Sequence, residues 1–184
     1  MASIVVAGQD AACIDLVSAI IEGLGHKQIE AFWEEELIKS PADIFRLESR
    51  AQSGEIELDT REGWGPLSVG NLYYAVNQRR HMDLERFVYA LGIPHIGRAN
   101  ARLLAKTYLS LEALIAAGTA AQARQSSDYE DMLNIDGIGV KVANAFIDFL
   151  DEPHNRQVVE ELAAQAPEPL SPSSSTGQGR QQPF

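Results

Sequence analysis

One cysteine, Cys13, stands in 184 residues. The chain therefore forms no internal disulfide, and it cannot by itself supply the Cys/His ligand set of a structural zinc site. Its histidines, His26, His81, His95 and His154, are too scattered to group around a metal with that cysteine. No apolar run approaches the ~18 residues that span a bilayer. The apolar start MASIVVAGQDAACIDLVSAII has no basic segment ahead of it, as a secretory signal would. Positive charge is also scarce: 15 Lys and Arg against 26 Asp and Glu, a formal net charge of -11. That balance argues against a broad cationic surface laid over phosphates. No serine sits in a nucleophile-elbow setting. What is left is an ordinary soluble composition, 45% hydrophobic, expected in the cytoplasm and with no membrane partner.

The charge is unevenly placed. Residues 1–62 hold 5 basic and 13 acidic residues, and residues 107–184 hold 4 and 11. Residues 63–106 reverse the sign, with 6 basic residues (Arg79, Arg80, Arg86, Arg98, Arg102 and Lys106) against 2 acidic ones. Such a run reads first as a solvated helix face.

Four segments share one pattern: IIEGLGHKQIEAFW (20–33), REGWGPLSVGNLYY (61–74), GIPHIGRANARLLA (92–105) and NIDGIGVKVANAFI (134–147). They align on Gly25, Gly65, Gly97 and Gly139, anchors that lie 40, 32 and 42 residues apart. Two positions before the anchors stand Gly23, Gly63, His95 and Gly137, and between the two comes Leu24, Trp64, Ile96 or Ile138. Four positions after them come Ile29, Val69, Ala101 and Ala143, and seven after, Phe32, Leu72, Leu104 and Phe146. The +4 and +7 spacing is one face of a helix. A glycine pair ahead of that face is a tight turn, where glycine permits positive φ and close approach. Each unit thus reads as helix, glycine hairpin, helix, with the stretch before Arg61 the weakest leading helix.

The spacers read as helical too. Ser40-Pro41-Ala42-Asp43 is a helix-opening signal, and Ser110 opens LEALIAA, expected to stop at Gly118. SGEIELDT (53–60) suits a loop or 3₁₀ turn as well as a strand. The expected fold is all-α: a tandem array of four helix-hairpin-helix motifs over residues 18–164. An N-terminal segment of unassigned role (1–17) precedes it. A Ser/Pro/Gly/Gln-rich tail (165–184) follows and is expected to be disordered.

The first amides of a helix have no partner within it, and with the positive end of the helix dipole they form an anion site. A DNA phosphate suits that site without any base being read. The expected contacts are the amides around Gly23, Gly25, Gly63, Gly65, Gly97, Gly137 and Gly139. Lys27, Arg98 and Lys141 would assist from the first helical turn. Valine at Gly139 is expected to fill the phosphate's space and to oppose a positive φ.

The chain from about Ile21 to Ala164 resembles the helix-hairpin-helix domain of bacterial NAD-dependent DNA ligases. The resemblance rests on IEGLGHKQIEAF, SPADIFRLE, REGWG, the ALGI, HIG and ARLLA sequences of the third unit, SLEAL, and LNIDGIGVKVANAF followed by EPHN (152–155). It implies a domain that grips the duplex backbone across the minor groove while other domains seal the nick with NAD as adenylate donor. Those domains are not represented. No Lys-x-Asp-Gly nucleophile motif occurs, the OB and BRCT domains have no counterpart, and Cys13 stands alone where a four-cysteine zinc finger would precede the first hairpin. The expectation is a non-enzymatic chain without NAD or zinc, derived from a truncated or rearranged ligase copy. Its partners would be duplex or nicked DNA, and other ligase domains or a protein. Against the family pattern, Pro66-Leu67 replaces the usual Glu-Lys, Pro94 an arginine, Arg98 and Asn100 an acid and a threonine, and Val140 a proline.

Other chemistry is less well supported. A DNA glycosylase needs a Gly/Pro-rich loop with its catalytic aspartate after the hairpin, and only Asp148 and Asp151 follow the fourth. Glu34-Glu35-Glu36 reads as an exposed helix face rather than a cation site, and Tyr73 and Tyr74 as core and edge of a helix. The competing reading is a protein-interaction module, or an inactive remnant of a ligase gene.

Overall fold

The apolar register of the four repeats sets the layout of the chain. In the computed structural model, which describes residues 10–21 and 23–165, there are ten α-helices and no strand among the described residues. The protein is all-α, as the periodicity predicts. The tail expected to be disordered lies, from residue 166 on, outside the described residues.

Helices α1 (Asp10–Ile20) and α2 (His26–Glu34) flank hairpin one. A 3₁₀ helix, Pro41–Arg46, runs into α3 (Leu47–Gln52). Hairpin two leads into α4 (Pro66–Gln78), which ends in a 3₁₀ turn at Arg79–His81. Hairpin three joins α5 (Leu84–Ala90) to α6 (Arg98–Tyr108), and α7 (Leu111–Ala120) follows. Hairpin four joins α8 (Ser127–Leu133) to α9 (Val140–Asp151), and α10 (Pro153–Ala163) closes the described chain. All eight side chains at the +4 and +7 positions are buried.

Four expectations are corrected. First, hairpin two has no leading helix: residues 53–65 are turns. Gly54, at φ 75, ends α3, and the Glu55-to-Asp59 alternation offers no 3.6-residue apolar stripe to restart one. Second, Gly118 does not stop α7. It lies within the helix and is buried, and an added Cβ would sit 2.5 Å from Leu150 Cδ1 and 2.7 Å from Phe146 Cε1. It is the place where α7 and α9 meet most closely. Third, the Ser-Pro-Ala-Asp signal opens a 3₁₀ rather than an α segment. Asp43 accepts from the Lys39 and Ser40 amides at 2.9 and 3.0 Å, while the buried Ser40 hydroxyl has no partner. Fourth, the acidic run is exposed, but α2 ends at Glu34; Glu35 pairs with Arg61, and Glu36 with Lys39 at 2.8 Å.

The repeats pack in neighbouring pairs. The Phe32 ring of hairpin one's second helix lies 5.1 Å from Trp64 at the tip of hairpin two. At hairpin four, a Cβ on Gly137 would come within 2.7 Å of Leu103 on α6, so that tip rests against hairpin three's second helix. Helices α1 and α5 join the two pairs. The expected boundary at 17/18 falls inside α1, whose Cys13, Ile14, Leu16 and Val17 are core residues.

Helix α10 folds back onto the Pro41–Arg46 segment. Arg80 ties this junction. Its guanidinium donates to the Phe45 carbonyl and, at 3.0 Å, to the Gln165 carbonyl, and it stands 5.4 Å above the Phe45 ring. Arg79 and Arg86 are also engaged within the chain. Arg102 lies 4.0 Å from Glu85, so four of the six basic residues of 63–106 are engaged within the protein. Asn155, the last residue of EPHN, and Arg156 after it, both in the first turn of α10, cap α9. Asn155 Nδ2 donates to the Phe149 carbonyl at 3.1 Å, and Arg156 Nε and Nη2 reach the Leu150 carbonyl at 3.1 and 2.8 Å.

Gly118→Val places a branched side chain where Leu150 and Phe146 already stand. It should destabilise the protein by about 1–3 kcal/mol, read as a lower urea midpoint with an unchanged m value.

Candidate nucleic-acid interface

Each hairpin is a tight turn of one design. Trp64 N–H donates to the Arg61 carbonyl at 3.0 Å, Ile96 N–H to Ile93 at 3.0 Å, and Ile138 N–H to Ile135 at 2.9 Å. The third residue of each turn is left-handed: Gly63 at φ 80, His95 at 67 and Gly137 at 89, with Gly23 at 92 in the same place in hairpin one. A positive φ at that position characterises a type II turn, which also favours proline just before it. Pro94 stands there in hairpin three, so this departure from the family pattern suits the turn. His95 is the exception among glycines, and Asn100 holds it by donating from Nδ2 to its carbonyl at 2.7 Å.

The anchor glycines differ from what the sequence suggests. Gly25, Gly65, Gly97 and Gly139 are extended helix caps, with φ of -67, -127, -79 and -90. The expectation of a positive φ at Gly139 is wrong; that role belongs to Gly137. Backbone conformation does not call for glycine at the anchors, and neither does packing. A Cβ added at Gly65, Gly97 or Gly139 meets nothing within 4 Å, and at Gly25 only the Gln28 side chain, at 3.8 Å. The space in front of all four anchors is open.

The four tips do not offer equal numbers of amides. In hairpins one and two the anchor's own N–H is taken by the third helical residue: Gln28 Oε1 at 3.3 Å and Ser68 Oγ at 2.9 Å. In hairpin three Asn100 turns to His95 instead, and in hairpin four the corresponding residue is Val142, which has no acceptor. No acceptor among the described residues takes the Gly97 or Gly139 amide. Pro66 has no N–H, so hairpin two keeps only the Leu67 amide. Hairpins three and four each keep three amides with no acceptor among the described residues, and hairpin one keeps two. The capping residues at +3 escaped the repeat alignment because they vary, although polar residues three positions after a cap are a visible signal.

Cations stand beside three tips. Lys27 and Lys141, second residues of α2 and α9, are exposed, and neither has an ion-pair partner among the described residues. Arg98, first residue of α6, is exposed, and its guanidinium lies 5.0 Å over the Tyr89 ring of α5. At hairpin two the position of Lys27 and Lys141 is held by Leu67, 79% exposed. Asp148, weighed above as a glycosylase-like acid, pairs with Arg124. The remaining histidines form no metal cluster among the described residues, and His26 instead meets Asp15 at 3.2 Å.

Comparison with known proteins agrees with this geometry. A helix-hairpin-helix motif family matches residues 86–159, the stretch that holds hairpins three and four. The DNA ligase of Azorhizobium caulinodans is 45% identical over 176 aligned residues, 85% of this chain and 24% of that protein. The DNA ligase of Parvibaculum lavamentivorans is 46% identical over 142 residues (77% and 20%), and that of Xanthobacter autotrophicus 46% over 157 (82% and 22%). The chain spans about a fifth to a quarter of the length of these curated relatives. With an identity near one residue in two carried across more than three quarters of its length, the chain is homologous to a segment of these bacterial DNA ligases, and that segment includes a helix-hairpin-helix motif.

Proposed function

We propose that this chain binds the phosphate backbone of duplex or nicked DNA without reading sequence, as the DNA-gripping part of a ligase of the NAD-dependent type. The observation that carries the reading is the open space before four extended glycines whose own fold makes no use of the missing side chain. A surface brought close from outside does make use of it, and a phosphate seated on helix N-terminal amides is such a surface. The main grip falls on hairpins three and four, through the amides of Gly97 to Ala99 and of Gly139 to Lys141, with Arg98 and Lys141 beside them. Hairpin one adds the His26 and Lys27 amides and the Lys27 ammonium. Gly23, Gly63, His95 and Gly137 shape the turns, and hairpin two, whose Gly65 amide is taken by Ser68 and whose next residue is Pro66, stays outside the grip.

Backbone amides reconcile phosphate binding with a net charge of -11, because the attraction is local and directed at the tips rather than summed over the surface. The chain does no ligation by itself and takes neither NAD nor zinc. No lysine of its sequence stands in a Lys-x-Asp-Gly motif, and one cysteine cannot hold a finger. No helix among the described residues is long and apolar enough to cross a membrane.

Three outcomes are expected. The protein retards nicked duplex DNA at low salt, with an affinity that falls as salt rises along a slope of about two to four phosphates. Complete absence of retardation at ~20 mM salt favours the protein-interaction reading instead. Two neighbouring substitutions should part ways. Gly137→Ala strains a left-handed residue and crowds Leu103, costing about 1–3 kcal/mol of stability. Gly139→Ala leaves the unfolding midpoint nearly unchanged but weakens DNA retardation. Equal retardation by the Gly139 variant removes hairpin four from the contact surface. A nick-sealing assay with NAD should yield no joined product.

A further inference from the structure

Hairpin two is built for something other than phosphate. Its first helical turn has Pro66 and Leu67 where the other hairpins offer amides and a cation. One turn further, Gly70 lies in the middle of α4 and is exposed, and an added Cβ there would meet nothing within 4 Å. A glycine inside a helix costs up to about 1 kcal/mol relative to alanine, and nothing inside the protein recovers that cost. Tyr74 lies one further turn along, 68% exposed, on the same face as Leu67. Gly70 also borders an open groove of about 420 Å³ between the first turns of α4 and the 56–59 loop, with Ile56, Pro66, Val69 and Tyr73 among its walls. The apolar surface thus runs from the groove, over the bare Cα of Gly70, to the Leu67–Tyr74 ridge.

The rim of this surface is acidic. Glu57 and Asp59 line the groove and are exposed, and Glu62, four residues before Pro66, is exposed too. The nearby arginines are spent internally: Arg50 on Glu55 at 2.7 Å and on the Leu37 carbonyl at 2.5 Å, and Arg61 on the Glu57 carbonyl at 3.2 Å and on Glu35. Burial, with Glu48 and Asp59 adding to it, holds the Tyr73 hydroxyl protonated above its ordinary range, in keeping with a negative local field. A polyanion is repelled here.

We infer that the α4 face of hairpin two is a protein-docking surface, whose occupant is an amphipathic segment of another polypeptide. That segment sets apolar side chains into the Gly70 groove and against Leu67 and Tyr74, and its Lys or Arg residues meet Glu57, Asp59 and Glu62. The surface is separate from the DNA grip of hairpins three and four. A protein held there and a duplex held at the other tips need not compete.

The test uses the full chain and two synthetic helical peptides, one with leucines on one face and lysines on the other, the second with glutamates for the lysines. Binding is followed by amide chemical shifts. The lysine peptide should bind saturably, with shifts centred on Leu67, Gly70 and Tyr74, and more weakly as salt rises; the glutamate peptide should not bind there. Leu67→Lys should weaken the lysine peptide roughly ten-fold or more while leaving DNA retardation equal or stronger, since it restores the cation of the other hairpins. Gly70→Ala should raise Tm by about 2–4 °C, confirming that the glycine serves nothing internal, and should reduce peptide affinity. The inference is overturned if the lysine peptide gives no saturable shifts on α4, if both peptides bind there alike, or if Leu67→Lys weakens DNA retardation. The last result would make Leu67 part of the duplex contact.

Discussion

A single left-handed residue, two positions ahead of each helix cap, is what the architecture turns on. It reverses the chain within four residues. In doing so it sends the next side chain (Leu24, Trp64, Ile96 or Ile138) inward and brings the following residue out as an extended cap. One local constraint therefore accomplishes two things. It closes the core beneath the hairpin, and it leaves the first amides of the next helix facing outward. Core and candidate binding surface are opposite sides of the same turn: Gly137 faces Leu103, while the space in front of Gly139 is open.

The four tips have diverged on that common frame. Hairpins three and four keep the most amides without an acceptor among the described residues, and the helix-hairpin-helix family match covers the same stretch. Hairpin one surrenders one amide to Gln28 but keeps Lys27. Hairpin two surrenders one to Ser68, lacks another at Pro66, and exposes Leu67 where a cation stands elsewhere. The charge distribution follows the same division. The acidic first third of the chain contains hairpin two's loop, while Arg98 and Lys141 flank the later tips. An anion site made of amides tolerates an acidic protein because helix-end partial charges act within a turn or so of the helix terminus.

Much of this was legible in the residues. The +4 and +7 spacing identified eight buried side chains, and the shared turn pattern marked the four places where a left-handed residue stands two positions before a helix cap, because both depend on contacts within one repeat. Other features were not legible. Which glycine of each pair is left-handed depends on the turn's hydrogen bond, and both members look alike in sequence. Gly118 reads as a helix stop until α9 is seen lying against it, with Phe146 and Leu150 occupying the place of a side chain. Arg80 reads as part of a basic patch, yet it bridges Phe45 and Gln165, two segments far apart in the chain. The missing helix before hairpin two was foreshadowed by weak periodicity, but the repeat pattern alone pointed the other way.

Local periodicity and turn chemistry, which act over fewer than ten residues, sufficed to determine an all-α chain, the place of each hairpin, and the residues that fill its core. Tertiary structure alone decided how the hairpins pair, through Phe32 on Trp64 and Gly137 on Leu103, and which charged side chains are spent inside the protein. It also decided which glycines face neighbours and which face open space. The reason is physical: a residue's backbone preference is its own, whereas the space in front of it and the partner of its charge belong to segments brought near only when the whole chain has folded.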